Sequence, residues 1–344
     1  MARTTRETIL GMVSGSTWHT AVNLAANSGL YVTNIDKWAL TGQHFEDKPA
    51  GQAEIQNIDL IQHEANPTFT FDAARRSGAE WKFWAGVLGS DAVTGAGPYV
   101  HTMSYNTNSS TFYTVGKEIN NSDITEWPSL KVTGLTFENN NGVMKLTART
   151  IGDTVRYASD ATNTGTQFDA VTYVTNGLII PFRECRFRIN AQAGGALGSG
   201  DVINLSNLSL SIDRPYRRDD LTQGATDGTE KQTNEPIQNE PSNVNLSIEA
   251  NDYATIALLQ DMQNEVAYKA DLFWSRTIST VAYQLTIELG SLYPMEQDIS
   301  LDSPGDFPFT RTFRGIDPVS TPTGLATANP VHLILQDNFS TSYI

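Results

Sequence analysis

Two stretches of the chain, about half its length apart, show the same alternation of apolar and polar residues. In residues 243–250 every second side chain is apolar, and residues 68–71 repeat the alternation with two phenylalanines. A period of two predicts a strand with one buried face. Shorter apolar runs rich in Val, Ile, Tyr and Thr predict further strands. These are residues 30–35, 54–61, 99–105, 111–119, 130–137, 143–150, 170–174, 178–189, 202–212, 266–274, 281–289, 307–316 and 331–337.

Each alternating stretch is followed by a short segment with helical spacing. After the first, Ser77 and Glu80 fit a capping box, Trp81, Trp84 and Leu88 make an apolar stripe, and a glycine at 89 supplies the stop. After the second, Asn or Asp at 251–252 offers a cap, and Ile256 and Leu259 belong to the stripe. We interpret both stripes as structural core.

The repeated order of strand, helix and strands predicts an internal duplication. Aligning the two caps by eye places Pro67 against Asn243, an offset of 243 − 67 = 176 residues, which is close to half of 344. We therefore expect three regions: an N-terminal arm at 1–28, a first β unit at 29–200 and a second β unit at 201–344.

Turn chemistry supports a mainly β fold. Asn141-Gly142 predicts a tight hairpin between the strands at 130–137 and 143–150. The glycine-rich run at 194–200 predicts a second hairpin, between the strands at 178–189 and 202–212. We expect a β-sandwich or barrel with short flanking helices.

Residues 214–242, which we call the polar loop, differ from the rest of the chain. They hold charges, Gln, Asn and Pro and almost no large apolar residue. Loops of this length are usually functional or disordered. At its start, Arg214, Arg217 and Arg218 place three cations within five residues of an acidic protein. The sequence leaves two interpretations open: a solvated loop end, or a contact with an acidic surface of a neighbouring copy. The candidate contact residues are Arg214, Tyr216, Arg217, Arg218, Asp219, Asp220 and Glu235.

Composition narrows the function. The chain has 23 basic and 38 acidic residues, hence a net charge of −15, which argues against binding nucleic acid by neutralising phosphates. No apolar run approaches the length of a spanning helix, we expect no signal peptide at residues 1–16, and one cysteine excludes an internal disulfide framework. The histidines show no paired spacing. We predict no metal, no cofactor and no catalytic residue, so an enzyme is not expected.

In this order, the motifs resemble the tail tube proteins of long-tailed bacteriophages. The resemblance spans roughly residues 50–337, and its departure is length, since many such proteins carry one unit. The residues that carry it are 69–71 leading to 81–89, the turn and strand at 95–102, the hairpin at 130–150, and the unit at 208–250.

The resemblance implies a structural virion protein with no enzymatic activity. In that family, β-sandwiches join their sheets into rings, and rings stack through loops and termini into a tube that viral DNA crosses. The implied partners are other copies, as three chains in a ring with sixfold-like symmetry or as six, with the tape-measure, tail terminator and tip proteins. Assembly in the host cytoplasm, no membrane contact, and an acidic lumen that repels DNA are expected.

A second hypothesis comes from another class. A soluble β-sandwich that binds carbohydrate or a host surface would expose aromatic side chains, and Trp81, Trp84 or Trp274 would then face solvent.

Overall fold

The protein is mainly β, and most of its strands belong to one large antiparallel sheet. The computed structural model describes residues 8–39, 41–47, 57–107, 109–119, 123–173, 179–217, 235–250, 264–299 and 309–344. The strands are β1 (Ile9–Gly15), β2 (Asn34–Asp36), β3 (Thr41–Asp47), β4 (Asn57–Glu64), β5 (Thr68–Phe71), β6 (Ala92–Thr94), β7 (Tyr99–Ser104), β8 (Phe112–Glu118), β9 (Ile124–Asn140), β10 (Val143–Gly152), β11 (Arg156–Tyr157), β12 (Arg186–Ala191), β13 (Val202–Ile203), β14 (Leu205–Asp213), β15 (Tyr216–Arg217), β16 (Ile237–Gln238), β17 (Asn243–Ala250), β18 (Tyr268–Ile278), β19 (Val281–Ile299), β20 (Phe309–Gly315) and β21 (His332–Asp337).

Two α-helices lie in the described ranges, α1 (Trp81–Leu88) and α2 (Gly165–Asp169). The predicted stripe and stop of α1 are confirmed, because the helix is buried throughout and Gly89 ends it with φ 92°. The predicted capping box is wrong, since the Ser77 hydroxyl donates to Asn338 and Glu80 accepts from the Arg75 amide instead. The second predicted helix, with Ile256 and Leu259, lies outside the described residues.

The main sheet runs in the order β2–β5–β10–β9–β14–β17–β20–β19, and every pairing is antiparallel. β9 and β19 are long enough to continue into a second layer. There β9 pairs with β8 and β11, and β19 pairs with β18 and β21. β1 extends from β8, β12 and β13 extend from β18, and β7 and β6 extend from β21.

The core lies between the two layers. One face of the main sheet is almost entirely apolar, as alternation predicts, although the buried Arg311 of β20 also lies on it. α1 packs on β9 and β7, and the rings of Trp84 and Trp274 approach Phe137 with centroid distances of 5.6 and 5.7 Å. The buried row across the sheet is Phe71, Leu146, Phe137, Leu210, Leu246 and Phe313.

The predicted Asn-Gly hairpin is confirmed, with positive φ at Asn141 and Gly142. Three other features differ from expectation. Residues 9–15 of the predicted arm form β1, and residues 41–47, for which no strand was predicted, form β3 in a separate hairpin with β4. The second predicted hairpin is reduced to the short pairing of β12 with β13, because β14 pairs with β9 and β17 instead.

Candidate functional site: the base of the polar loop and the edges of the main sheet

Arg214 opens the polar loop but lies inside the protein, with 1% of the residue exposed. Its three nitrogens donate to the carbonyl oxygens of Val87 and Asn106, at 3.1 and 2.6 Å, and to Oε1 of Gln238, at 2.9 Å. Val87 lies in the last turn of α1, where carbonyl oxygens have no partner within the helix. The guanidinium therefore stabilises the helix end, and its donors are committed to contacts within the chain.

Tyr216 and Arg217 form β15, which pairs with β16 and closes the base of the loop. Tyr216 is half-buried, its ring centroid lies 5.7 Å from the guanidinium carbon of Arg214, and burial raises the pKa of its phenol. Glu235 also lies in the polar loop, with 52% of its side chain exposed. The predicted contact residues Arg218, Asp219 and Asp220 lie outside the described residues.

Lys131, on β9, belongs to this site although the sequence did not single it out. Its side chain is 6% exposed, and Nζ donates to the carbonyl oxygen of Ser109 at 2.9 Å. The ring centroids of Phe112 and Tyr216 lie 4.8 and 5.2 Å from Nζ. Of the described carboxylates, the oxygen nearest to Nζ belongs to Glu235, at 3.7 Å. Burial lowers the pKa of Lys131. The sequence signal that could have identified Lys131 was its position between apolar residues of a buried strand.

A cavity of about 540 Å³ opens between Lys131 and the base of the polar loop. It combines a buried ammonium group, four hydroxyl side chains and an isoleucine at 237 that is 69% exposed. Such a lining can hold an anionic group next to an apolar one. The cavity is lined by Thr107, Ser109, Ser110, Lys131, Tyr216, Glu235, Pro236, Ile237 and Gln238.

The face of the main sheet opposite the core carries mostly polar side chains, and many of them are small. Neighbouring strands bring together the row Thr70, Thr147, Thr136, Ser211, Asn245, Arg314 and Tyr293. On β10, β9, β14, β17 and β20, the described side chains of this face include three cations, Lys145, Arg149 and Arg314, and three carboxylates, Glu138, Asp213 and Glu249. This part of the face is therefore balanced in charge rather than acidic.

Both ends of the main sheet are open in the described part of the chain. β2 pairs with β5 on one side only, and Thr33 and Asn34 are exposed. Along β19, β18 stops at Leu292 while β20 continues on the other side to Ile299. Tyr293 and Met295 are 38% and 54% exposed. Unpaired strand edges invite pairing with another chain.

The predicted helix-core residues Trp81, Trp84 and Leu88 are buried, with at most 1% exposed. Trp274 is also buried at 0%. The exposed aromatic platform that a carbohydrate-binding module would need is therefore not formed by these three tryptophans.

A buried polar cluster fastens the C-terminal segment. His101 lies between Asp91, 3.1 Å from Nδ1, and Asp337, 3.4 Å from Nε2, and Tyr343 donates to Asp337 at 2.7 Å. Burial disfavours the imidazolium, but hydrogen bonds to Asp337 and Asp91 outweigh it and raise the pKa of His101 to about 10. The arrangement suits a structural role in holding the C-terminal segment, because these groups satisfy one another's hydrogen-bonding capacity. Burial raises the pKa of the half-buried Cys185 thiol to about 12.

Among the described residues, no group of three or more His, Cys, Asp or Glu side chains could hold a metal ion. In the same ranges, no helix is both apolar enough and long enough to cross a membrane. No protein-family model matches the sequence, and no curated protein is significantly similar to it.

Proposed function

We propose that the chain is a structural subunit of a bacteriophage tail tube, which polymerises into stacked rings around a lumen that viral DNA crosses. The observation that carries this proposal is a pattern of strand pairing that occurs twice in the chain and is left incomplete at both ends of the main sheet.

The pairing pattern repeats in chain order. Six pairings among the strands up to β11 are matched, one for one, by six pairings among the strands from β12 onward. The first six are β1–β8, β2–β5, β5–β10, β10–β9, β9–β8 and β9–β11. Their counterparts, in the same order, are β12–β18, β14–β17, β17–β20, β20–β19, β19–β18 and β19–β21. We name β1–β11 the first unit and β12–β21 the second unit. Six matched antiparallel pairings support a duplication within the chain, with the boundary before β12 rather than near residue 200.

The matched registers bring similar residues together. Ile35-Asp36-Lys37 at the end of β2 corresponds to Ile212-Asp213-Arg214 at the end of β14. At β5 and β17, Phe69 corresponds to Val244, both buried, which gives an offset of 244 − 69 = 175. The offset of 176 read from the sequence matches Phe69 with the half-exposed Asn245, so we propose an offset of 175 instead.

The two units join where β14 fills the edge of β9, with Ser211 opposite Thr136. Tyr293 occupies the equivalent position on β19, and Asn34 the equivalent position on β2. No described strand occupies either of these edges. If the internal joint recurs between chains, Asn34 of one copy lies opposite Tyr293 of the next, and the sheet closes on itself.

Three chains would then give six equivalent units in a ring with sixfold-like symmetry. The polar face is the proposed wall of the lumen. Its hydroxyl and amide side chains, with cations matched by carboxylates, offer few sites that would retain DNA phosphates. The polar loop is the proposed contact between rings. The tape-measure, tail terminator and tip proteins are the further proposed partners, and the virion tail is the proposed location.

Negative-stain electron microscopy with mass measurement tests this function. We expect annular particles of three chains and short tubes as protein concentration rises. A protein that stays monomeric at high concentration across all salt conditions would contradict the proposal.

A further inference from the structure

The ammonium group of Lys131 is incompletely neutralised by the described residues of its own chain. It has one carbonyl partner at 2.9 Å, and the Glu235 carboxylate at 3.7 Å is beyond hydrogen-bond distance. Arg214 adds a second cation behind the Tyr216 ring. The site therefore holds two cations and one loosely placed carboxylate, and a further carboxylate would stabilise it, because charge pairs gain strength where water is excluded.

The β3–β4 hairpin offers such a group. Residues 41–64, which contain β3 and β4, hold five carboxylates and one lysine. The hairpin forms a two-stranded sheet of its own. On β4, Ile58 is 56% exposed, and at the cavity Ile237 is 69% exposed. Charge and apolar surface are thus complementary between the hairpin and the cavity.

The position of the two elements supports a contact between copies. The β3–β4 hairpin leaves the main sheet between β2 and β5, and β15–β16 leaves it between the matching strands β14 and β17. Each chain thus carries one acidic hairpin and one cavity at equivalent places of its two units, which allows a head-to-tail contact that repeats.

We propose that the cavity at Lys131 receives a carboxylate of the β3–β4 hairpin from a second copy of this chain. This carboxylate displaces that of Glu235, which lies beside Lys131 in the single chain. This contact rests on the proposed function and, beside the edge pairing within a ring, names two surfaces that hold copies of successive rings together.

Substitutions of Lys131 and Glu235 test the contact, because they are expected to change assembly in opposite directions. Lys131→Met removes the ammonium group and is expected to raise the protein concentration needed for assembly by about tenfold or more, as expected for loss of one partner of a buried charge pair. Glu235→Gln removes the competitor and is expected to lower that concentration. Light scattering and sedimentation at fixed salt measure both. If Glu235→Gln weakens assembly as strongly as Lys131→Met, the Lys131–Glu235 pair is merely structural and the proposal is overturned.

Neutralising the hairpin identifies the occupant without touching the buried lysine. The substitutions E46Q, D47N, E54Q, D59N and E64Q together are expected to reproduce the loss seen with Lys131→Met. Combined with it, they should add little, because both variants remove the same contact. The matched control neutralises five acids of the polar loop, D219N, D220N, D227N, E230Q and E240Q, and should change assembly much less.

The outcomes separate the two proposals. If the wild-type protein assembles and the hairpin variant assembles equally well, the cavity contact is wrong and the tail tube proposal stands. If the wild-type protein never assembles, both are wrong. Should Lys131→Met fail to fold, as judged by circular dichroism, Glu235→Gln and the hairpin variant still decide the question.

Discussion

The chain leaves its main sheet twice after an Ile-Asp-cation sequence, with opposite results for the cation. Lys37 follows β2 and is exposed, whereas Arg214 follows β14, is 1% exposed and donates to the end of α1. The backbone pairing is the same at both places. The difference arises because β14 lies beside β9 and α1 of the first unit, while no described strand lies beyond β2. Burial of the cation thus accompanies the pairing of its strand with a further neighbouring strand.

The largest effect is expected where the two units share their core. Trp84 of the first unit and Trp274 of the second both contact Phe137. Trp84→Ala and Trp274→Ala should each lower the free energy of unfolding by about 3–5 kcal/mol, because each leaves a cavity. Denaturant unfolding of the single and double variants should give one transition and non-additive losses. Trp38→Ala, at a side chain that is 46% exposed, is the control. Two separate transitions would indicate that the units fold independently.

The two cations give a matched pair of variants. Arg214→Met should lower the free energy of unfolding by about 3 kcal/mol, since it leaves the carbonyls of Val87 and Asn106 buried without donors. Lys37→Met should change it by less than about 0.5 kcal/mol, as an exposed substitution. Thermal melting of the dissociated chain measures both. Equal losses would contradict the comparison. If copies join as proposed, Lys37 should become protected from amine-reactive labels on assembly.

The cluster that fastens the C-terminal segment of the second unit to the first should make stability pH-dependent. Since the pKa of His101 is raised from 6.5 to about 10, the native state binds the proton more tightly than the unfolded state. Its contribution is fully present below pH 6.5 and is lost as pH rises toward 10. His101→Gln should flatten the decline in unfolding free energy across this window. A variant whose stability falls in parallel with the wild type would contradict the assignment.

The smallest effect concerns the polar face at the joint. Arg149 of the first unit forms an ion pair with Asp213 of the second, and both side chains are 42% exposed. Arg149→Gln should lower the free energy of unfolding by less than about 1 kcal/mol, and added salt should shrink the difference. A larger, salt-independent loss in denaturant unfolding would indicate that this pair holds the units together.

Local patterns predicted the elements that local forces determine. Alternation located β5 and β17, and apolar runs located most other strands. Asn141-Gly142 set the turn between β9 and β10 because that turn needs positive φ. The buried stripe of α1 was predicted as well. Its cap was not, and the described capping box is instead at Thr164 and Gln167 in α2.

Features that depend on long-range contacts were not predicted from the sequence. The polar strand β3 has no alternation, and its pairing with β4 is what defines it. Arg214 read as a surface cation because its acceptor on Val87 is 127 residues away. Lys131 acquires its role from Ser109 and from the polar loop. Which edges meet depends on the whole order of strands, which no single stretch encodes.

Disulfide trapping of the open edges tests most directly whether chains join as their units do. In a Cys185→Ser background, the pair Thr136→Cys with Ser211→Cys reports the internal joint, where the residues lie opposite each other. The pair Asn34→Cys with Tyr293→Cys reports the proposed joint between chains, because opposed residues of antiparallel strands lie within disulfide reach. We predict that mild oxidation of assembled particles links the second pair into closed rings of three chains on non-reducing gels. Particles in which the internal pair cross-links while the Asn34–Tyr293 pair leaves only single chains would contradict the account.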